Sequence, residues 1–359
     1  MSVSMTSNNT ALVETHSQPI NEITTNTFVI NLQQAIFDLE TGTHHAEIIG
    51  DGQPDRKVSR RPKHFLTGME LNREELQQVL EMAKSIKHNP SLYYHCLTNK
   101  SLAMIFEKPS FRTRLSFAMA IQSLGGMAIE SISNTRKSET PADMARVLNG
   151  YVDFIMVRTH DDEILREMAE HSQIPVINGL SALHHPCQIL ADLLSLWEQF
   201  GSLDGLTLAY IGDGNNILHS LMLLAPQFGV KINYCCPESH QPMHGMMQLA
   251  QVMKSDMIEC FSKPEEAVQH ADAVYTDVWT SMGFEHREDD DFKGFQVNES
   301  LMSFAKPTAV FMHCMPMERG KEVSETLPDS QSSIIFIQSE NRMHVQKALL
   351  LFLDKYTKL

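Results

Sequence analysis

The chain has 359 residues, 42% of them hydrophobic and 20% charged, with a formal net charge of −15 at pH 7. That size holds two ordinary domains, and the composition is that of a soluble globular protein. The acidity argues against a nucleic-acid partner, whose phosphates it would repel, and no apolar run reaches the ~20 residues of a membrane span.

Six cysteines (Cys96, Cys187, Cys235, Cys236, Cys260, Cys314) are scattered without framework spacing. They point to reduced thiols and a cytoplasmic setting. The N-terminus lacks a secretory pattern and has no Lys or Arg before Arg56, unlike a mitochondrial presequence. Residues 1–60 are rich in Ser, Thr, Asn and Gln and read as a mobile extension, with a short helix predicted over 28–40.

From Lys63 the pattern sharpens. Asn72 and Glu75 form a capping-box pair ahead of an apolar face of Leu76, Val79, Leu80, Ala83 and Ile86. The run Leu102 to Phe106 reads as a buried parallel strand. Pro109 breaks it, and Ser110-Phe111-Arg112-Thr113-Arg114 opens a helix. Its predicted inner face is Leu115, Ala118, Ile121 and Leu124, and Gly125-Gly126 ends it. Two hydroxyls and two guanidiniums in the first turn of a helix leaving a strand make an anion site. Free backbone N–H groups and the dipole favour negative charge, and arginine forks suit phosphate. An ordinary capped helix with solvated arginines is the bland alternative.

Strands are next predicted over 127–132, 153–157 and 175–177, with helices over 141–148 and 163–171. His184-His185-Pro186-Cys187-Gln188 opens a long helix to about Phe200, and 201–205 is a break between lobes. The second lobe runs strand 207–211, the turn Gly212 to Asn216, a helix to Phe228, and strand 230–235. Helices 243–254 and 264–270 follow, then strand 273–276 ending at Asp277. Strand 309–312 ends in His313-Cys314, a last strand is predicted over 334–337, and a final helix begins at Ser339. The alternation implies an α/β fold: two doubly wound parallel-sheet domains joined by long helices, over 61–200 and 201–338, with 339–359 packing back on the first.

In such sheets ligands sit at the carboxyl ends of the strands. Ser110, Arg112, Thr113, Arg158, His185, Gln188, Asn216, Asp277 and Cys314 all gather there. Gly212-x-Gly214 resembles the start of a dinucleotide fingerprint, but Ile217 stands where the third glycine belongs, which counts against nicotinamide. His240 and His244 are separated by Pro242 and have no acidic companion, so no metal is expected.

Together these motifs resemble the aspartate/ornithine transcarbamylase family, and within it the ornithine carbamoyltransferases. F-E-K-P-S-F-R-T-R (106–114) resembles the carbamoyl-phosphate loop, usually S-T-R-T-R. E-T-P-A-D-M-A-R-V-L (139–148), V-I-N-G-L (176–180), H-H-P-C-Q-I-L-A-D-L-L (184–194), I-G-D-G-N-N-I-L-H-S (211–220), D-V-W-T-S-M-G (277–283), H-C-M-P (313–316) and S-E-N-R-M-H (339–344) follow in family order. The resemblance implies a homotrimer, without cofactor or metal, that carbamoylates the side-chain amine of ornithine from carbamoyl phosphate. It gives carbamoyl-phosphate contacts to Ser110, Phe111, Arg112, Thr113, Arg158, His185, Gln188, Cys314 and Arg342. Asn216, Asp277, Ser281 and Met282 would hold ornithine, and Arg158, His185, Asp277, Cys314 and Arg342 would carry the chemistry.

Two departures stand out. Phe111 replaces the usual threonine and removes a hydroxyl donor, which implies weaker carbamoyl-phosphate binding. Relatives acting on N-acylornithines also carry a bulky apolar residue there, so an N-acylornithine or putrescine acceptor stays open. The loop 127–138 is shorter than usual, with Asn134, Arg136 or Lys137 as substitutes for its inter-subunit contact. A non-catalytic binding relative would fit that shortening.

Overall fold

A computed structural model of the chain describes residues 63–107, 109–132, 139–279 and 289–357. The helix expected over 28–40, the loop residues Asn134, Arg136 and Lys137, and the site residues Ser281 and Met282 lie outside these.

Helix α1 (Arg73–His88) starts on the capping box expected from Asn72 and Glu75, whose side chains bond each other's backbone. The first sheet is built from β1 (Ser101–Phe106), β2 (Met127–Ile132), β3 (Phe154–Arg158) and β4 (Val176–Leu180), all parallel in the order β2-β1-β3-β4. Helices α2 (Phe111–Ser123), α3 (Pro141–Leu148) and α4 (Asp162–His171) connect them. Then α5 (Pro186–Phe200), buried over most of its length, leads into the second sheet. That sheet holds β5 (Thr207–Ile211), β6 (Lys231–Cys235), β7 (Ile258–Cys260), β8 (Ala273–Thr276) and β9 (Val310–His313), parallel in the order β7-β6-β5-β8-β9. Helices α6 (Asn216–Leu224), α7 (His244–Lys254), α8 (Pro264–Val268) and α9 (Glu299–Met302) accompany it. The long α10 (Ile335–Thr357) packs on α1, α2 and α5, beneath the first sheet's core.

Each sheet reverses its strand order once: between β1 and β3 in the first, and between β5 and β8 in the second. A crevice opens at such a point beyond the carboxyl ends. The residues after β1, β3, β5 and β8 are therefore the ones a ligand can reach.

Two expectations need correction, and one strand has no counterpart among them. The inner face of α2 is Thr113, Phe117, Ala120 and Ile121, while Leu115 is 50% exposed; the helix is rotated because Thr113 turns inward to meet two arginines. The segment 334–337 is not a strand: Ser333 makes one isolated bridge to Phe311, and α10 starts at Ile335. Burial of Ile335, Gln338, Asn341 and Arg342 is helical in period, and four apolar residues are too few to separate the two patterns. The short β7 at the sheet edge, 3 residues long and largely exposed, had no apolar signal to announce it.

Candidate active site

The loop after β1 enters α2 with Ser110 at the N-cap in an extended conformation, its side chain making no cap bond. Its hydroxyl is left for something other than the helix. One turn in, the buried Thr113 hydroxyl accepts from Arg158 Nη1 at 3.1 Å and from Arg342 Nη2 at 3.1 Å. Both lone pairs are then used, so only its O–H remains to offer, and that suits an anionic or carbonyl oxygen. Arg158 closes β3 and Arg342 comes from the second turn of α10, so three elements meet on one hydroxyl.

The three guanidiniums of Arg112, Arg158 and Arg342 crowd each other. Burial, then Arg342 and Arg112, push Arg158 from 12.5 down to about 10. Arg342 is lowered mainly by burial, and its Nε has no partner. Arg112, half-buried, is lowered by burial and held up by Cys314 and Asp277. A buried cluster of unneutralised cations is a site prepared for an anion. Arg114, the second guanidinium of the expected cradle, is not part of it: it pairs with Glu130 at 2.7 Å and lies over the Phe106 ring. Phe111 is 76% exposed, and only its backbone belongs to the turn.

His185 and Gln188 sit at the start of α5, as expected. His185 is fixed by its backbone N–H on Ser220 Oγ at 2.8 Å. Burial, and then the charges of Arg342 and Arg158, hold its imidazole well below the usual histidine range. The ring is neutral, and its Nδ1 has no partner among the described residues. Gln188 is fully buried; its Nε2 donates to Asp192 at 2.8 Å, while its Oε1 has no partner among the described residues. Unpartnered buried polar atoms are costly unless a ligand completes them.

Across the crevice, Asp277 follows β8 and Cys314 follows β9. Cys314 Sγ donates to Asp277 Oδ1 at 2.9 Å. Burial, then Asp277, raise the thiol well above its ordinary range, so it keeps its proton. Asn215, which the sequence reading passed over, holds the carboxylate from the other side: its Nδ2 donates to Asp277 Oδ2 at 2.8 Å, and its Oδ1 caps α6. The D-G-N pattern ahead of an apolar helix is an N-cap signal that could have found it. Asn216 turns toward the first lobe instead, donating to Ser181 O at 2.7 Å. Gly214 is required because a Cβ there would lie 2.3 Å from Pro242 N. The glycine pair thus admits another stretch of this chain's backbone rather than a pyrophosphate.

Asp277, His313 and Cys314 bring ligand-type atoms within 4.8 Å of one another. The set does not suit a resident metal ion. His313 Nδ1 accepts from Met315 N–H at 2.9 Å, and the ring's other nitrogen is 3.2 Å from Glu322 Oε1. Both imidazole nitrogens are engaged, and the thiol is protonated.

The first lobe (63–198) matches the model of the aspartate/ornithine carbamoyltransferase carbamoyl-P binding domain, and 204–353 the Asp/Orn binding domain. The chain belongs to the aspartate/ornithine carbamoyltransferase family. Among curated relatives, an ornithine carbamoyltransferase of Oceanobacillus iheyensis is 44% identical over 299 residues, covering 80% of this chain and 93% of that protein. The ornithine carbamoyltransferase structure from Pyrococcus furiosus is 41% identical with a TM-score of 0.76, covering 82% of this chain and 97% of that one. An N-acetyl-L-ornithine transcarbamylase structure is 29% identical with a TM-score of 0.73, covering 81% and 99%. The fold class expected from the alternating elements is that of this family.

Proposed function

We propose that this carbamoyltransferase moves the carbamoyl group of carbamoyl phosphate onto the side-chain amine of L-ornithine, giving L-citrulline and phosphate. The observation that carries the reading is the meeting, in one crevice, of an unneutralised cation cluster with a carboxylate–thiol pair. Arg112, the Phe111 N–H and the Ser110 and Thr113 hydroxyls suit the phosphate. Arg158, Arg342 and neutral His185 suit the carbonyl oxygen as it gains charge. Gln188 Oε1 suits the carbamoyl amine. Asp277 suits the α-ammonium, with Asn216, Ser281 and Met282 completing that half-site. A primary amine near pKa ~10 must shed a proton before it attacks. Cys314, a thiol rather than a thiolate, is better suited to orienting that amine than to taking its proton. Most of the rate comes from positioning two substrates and stabilising charge.

Phe111 is the one residue favouring an N-acylornithine acceptor. Turnover measured with carbamoyl phosphate and each of ornithine, Nα-acetylornithine and putrescine decides the acceptor. Ornithine alone should give strong product colour; turnover of the acylated amine without ornithine overturns the reading.

The assembly we propose is a homotrimer. Phe111, Leu115 and Met119 on α2 and Met127 and Ile129 on the edge strand β2 are exposed apolar side chains on neighbouring elements. Such a patch is covered by a partner in most proteins. Light scattering should give three times the chain mass. All six cysteines are free thiols, which supports a reducing, cytoplasmic setting.

A further inference from the structure

The buried carboxylate of Asp192, one turn along α5 from Gln188, has no part in the roles above. Its Oδ1 accepts from Gln188 Nε2 at 2.8 Å and from Gln338 Nε2 at 2.7 Å, and its Oδ2 from the Tyr275 hydroxyl at 3.1 Å. Gln338 cannot turn over, because its Oε1 accepts the His313 backbone N–H at 3.0 Å. With Asp192 ionised, Gln188 cannot turn over either: a flipped amide would set its oxygen against the carboxylate oxygen at hydrogen-bond distance. The Gln188 oxygen is therefore forced the other way, where it is buried with no partner among the described residues.

We infer that Asp192 is a positioning residue that sets donor specificity. By taking the Gln188 N–H it aims the Gln188 oxygen into the donor pocket, and so selects an acyl group bearing N–H over one bearing methyl. The inference rests on the reading that Gln188 faces the carbamoyl amine. A buried acceptor left unpaired by a methyl group penalises that ligand. The same carboxylate ties this choice to the second lobe, through Tyr275 on β8 and through Gln338 to the residue before Cys314.

Two stable mimics test it: phosphonoacetamide, with the carbamoyl amine, and acetonylphosphonate, with methyl in its place. Their Kd values are measured by calorimetry at pH 8, above the value of about 7 to which burial raises Asp192. Wild type should prefer the amide by about 10- to 100-fold. Asp192→Leu should bring that ratio below about 3-fold, by weakening the amide and sparing the ketone. Asp192→Asn should keep the ratio, because Gln338 still demands an oxygen at that place. Should Asp192→Leu not fold, Asp192→Asn combined with Gln338→Met frees the new amide to offer N–H to Gln188, and should collapse the ratio likewise. Equal weakening of both mimics, or an unchanged ratio in Asp192→Leu or in the double variant, overturns the inference. Gln188→Leu separates the two layers. If it leaves the ratio unchanged, Gln188 does not face the amine; if it alone collapses the ratio, only the role of Asp192 fails.

Discussion

Replacing Arg158 by methionine should make the unliganded protein more stable while destroying its donor site. Arg158 titrates at about 10 rather than 12.5, and below pH 10 it is charged in both folded and unfolded chains. The folded state therefore carries a penalty of about 3 kcal/mol at neutral pH, relieved only between the two values. Methionine keeps an unbranched apolar stem and removes the charge from between Arg112 and Arg342. The lost hydrogen bond to Thr113 offsets about 1.5 kcal/mol of that gain, leaving about 1–2 kcal/mol, or a rise in Tm of about 2–5 °C. Phosphonoacetamide at 100 times its Kd should add about 2.7 kcal/mol to wild type and almost nothing to the variant. Scanning fluorimetry at fixed protein concentration reads both effects. An Arg158→Met protein that melts below wild type without ligand would refute the idea that the cation cluster stores repulsion for an anion to relieve.

Asp277→Asn should raise the KM for ornithine by about 100-fold or more, since a buried charge pair with the α-ammonium is lost. It should also lower the Cys314 pKa by removing the adjacent carboxylate, seen as faster iodoacetamide labelling at pH 9. Acid should destabilise the protein below pH 6.5. His184 (about 3), His219 (about 4) and His185 (well below its ordinary range) are held neutral by burial. Between pH 6.5 and 5 the unfolded chain gains protons that the folded one refuses, at about 1.6 kcal/mol for each histidine. Asp192 (about 7) and Asp162 (about 6) act oppositely, since their folded forms bind protons first, and return about 3 kcal/mol. Urea titrations should show a net loss of about 2 kcal/mol; stability that rises toward pH 5 contradicts it. Phe111→Thr should lower the KM for carbamoyl phosphate about 3- to 10-fold, the worth of one added hydrogen bond, with little change in kcat.

The sheets were legible because their central strands β1, β3 and β5 are nearly unbroken apolar runs between helical periods, and the strand order put the polar ends together. The cation cradle was legible in kind and only partly in membership. Arg114 sits in the same helical turn as Arg112, yet the helix carries it out to Glu130. The third cation comes from Arg342, more than 200 residues away. Rotation of α2 followed from Thr113 turning inward, a tertiary demand that overrides the apolar spacing of Leu115 and Ala118. Asn215 had only a turn signal; cap geometry gives it the Asp277 carboxylate, while Asn216, whose place beside ornithine comes from the resemblance, donates to Ser181 O. The hub of Asp192, Tyr275 and Gln338 had no local signature at all. Asp192 is a single polar residue in an apolar run, Tyr275 and Gln338 sit where apolar runs give way to polar ones, and only folding brings the three together.

The central claim is that a donor half-site and an acceptor half-site face one crevice. A conjugate of phosphonoacetamide joined through its nitrogen to the side chain of ornithine tests this most directly. Its Kd, by calorimetry, should fall at least about 100-fold below that of phosphonoacetamide alone. Asp277→Asn and Arg112→Ala should each abolish most of that gain. A conjugate that binds no more tightly than its phosphonate half would contradict the account.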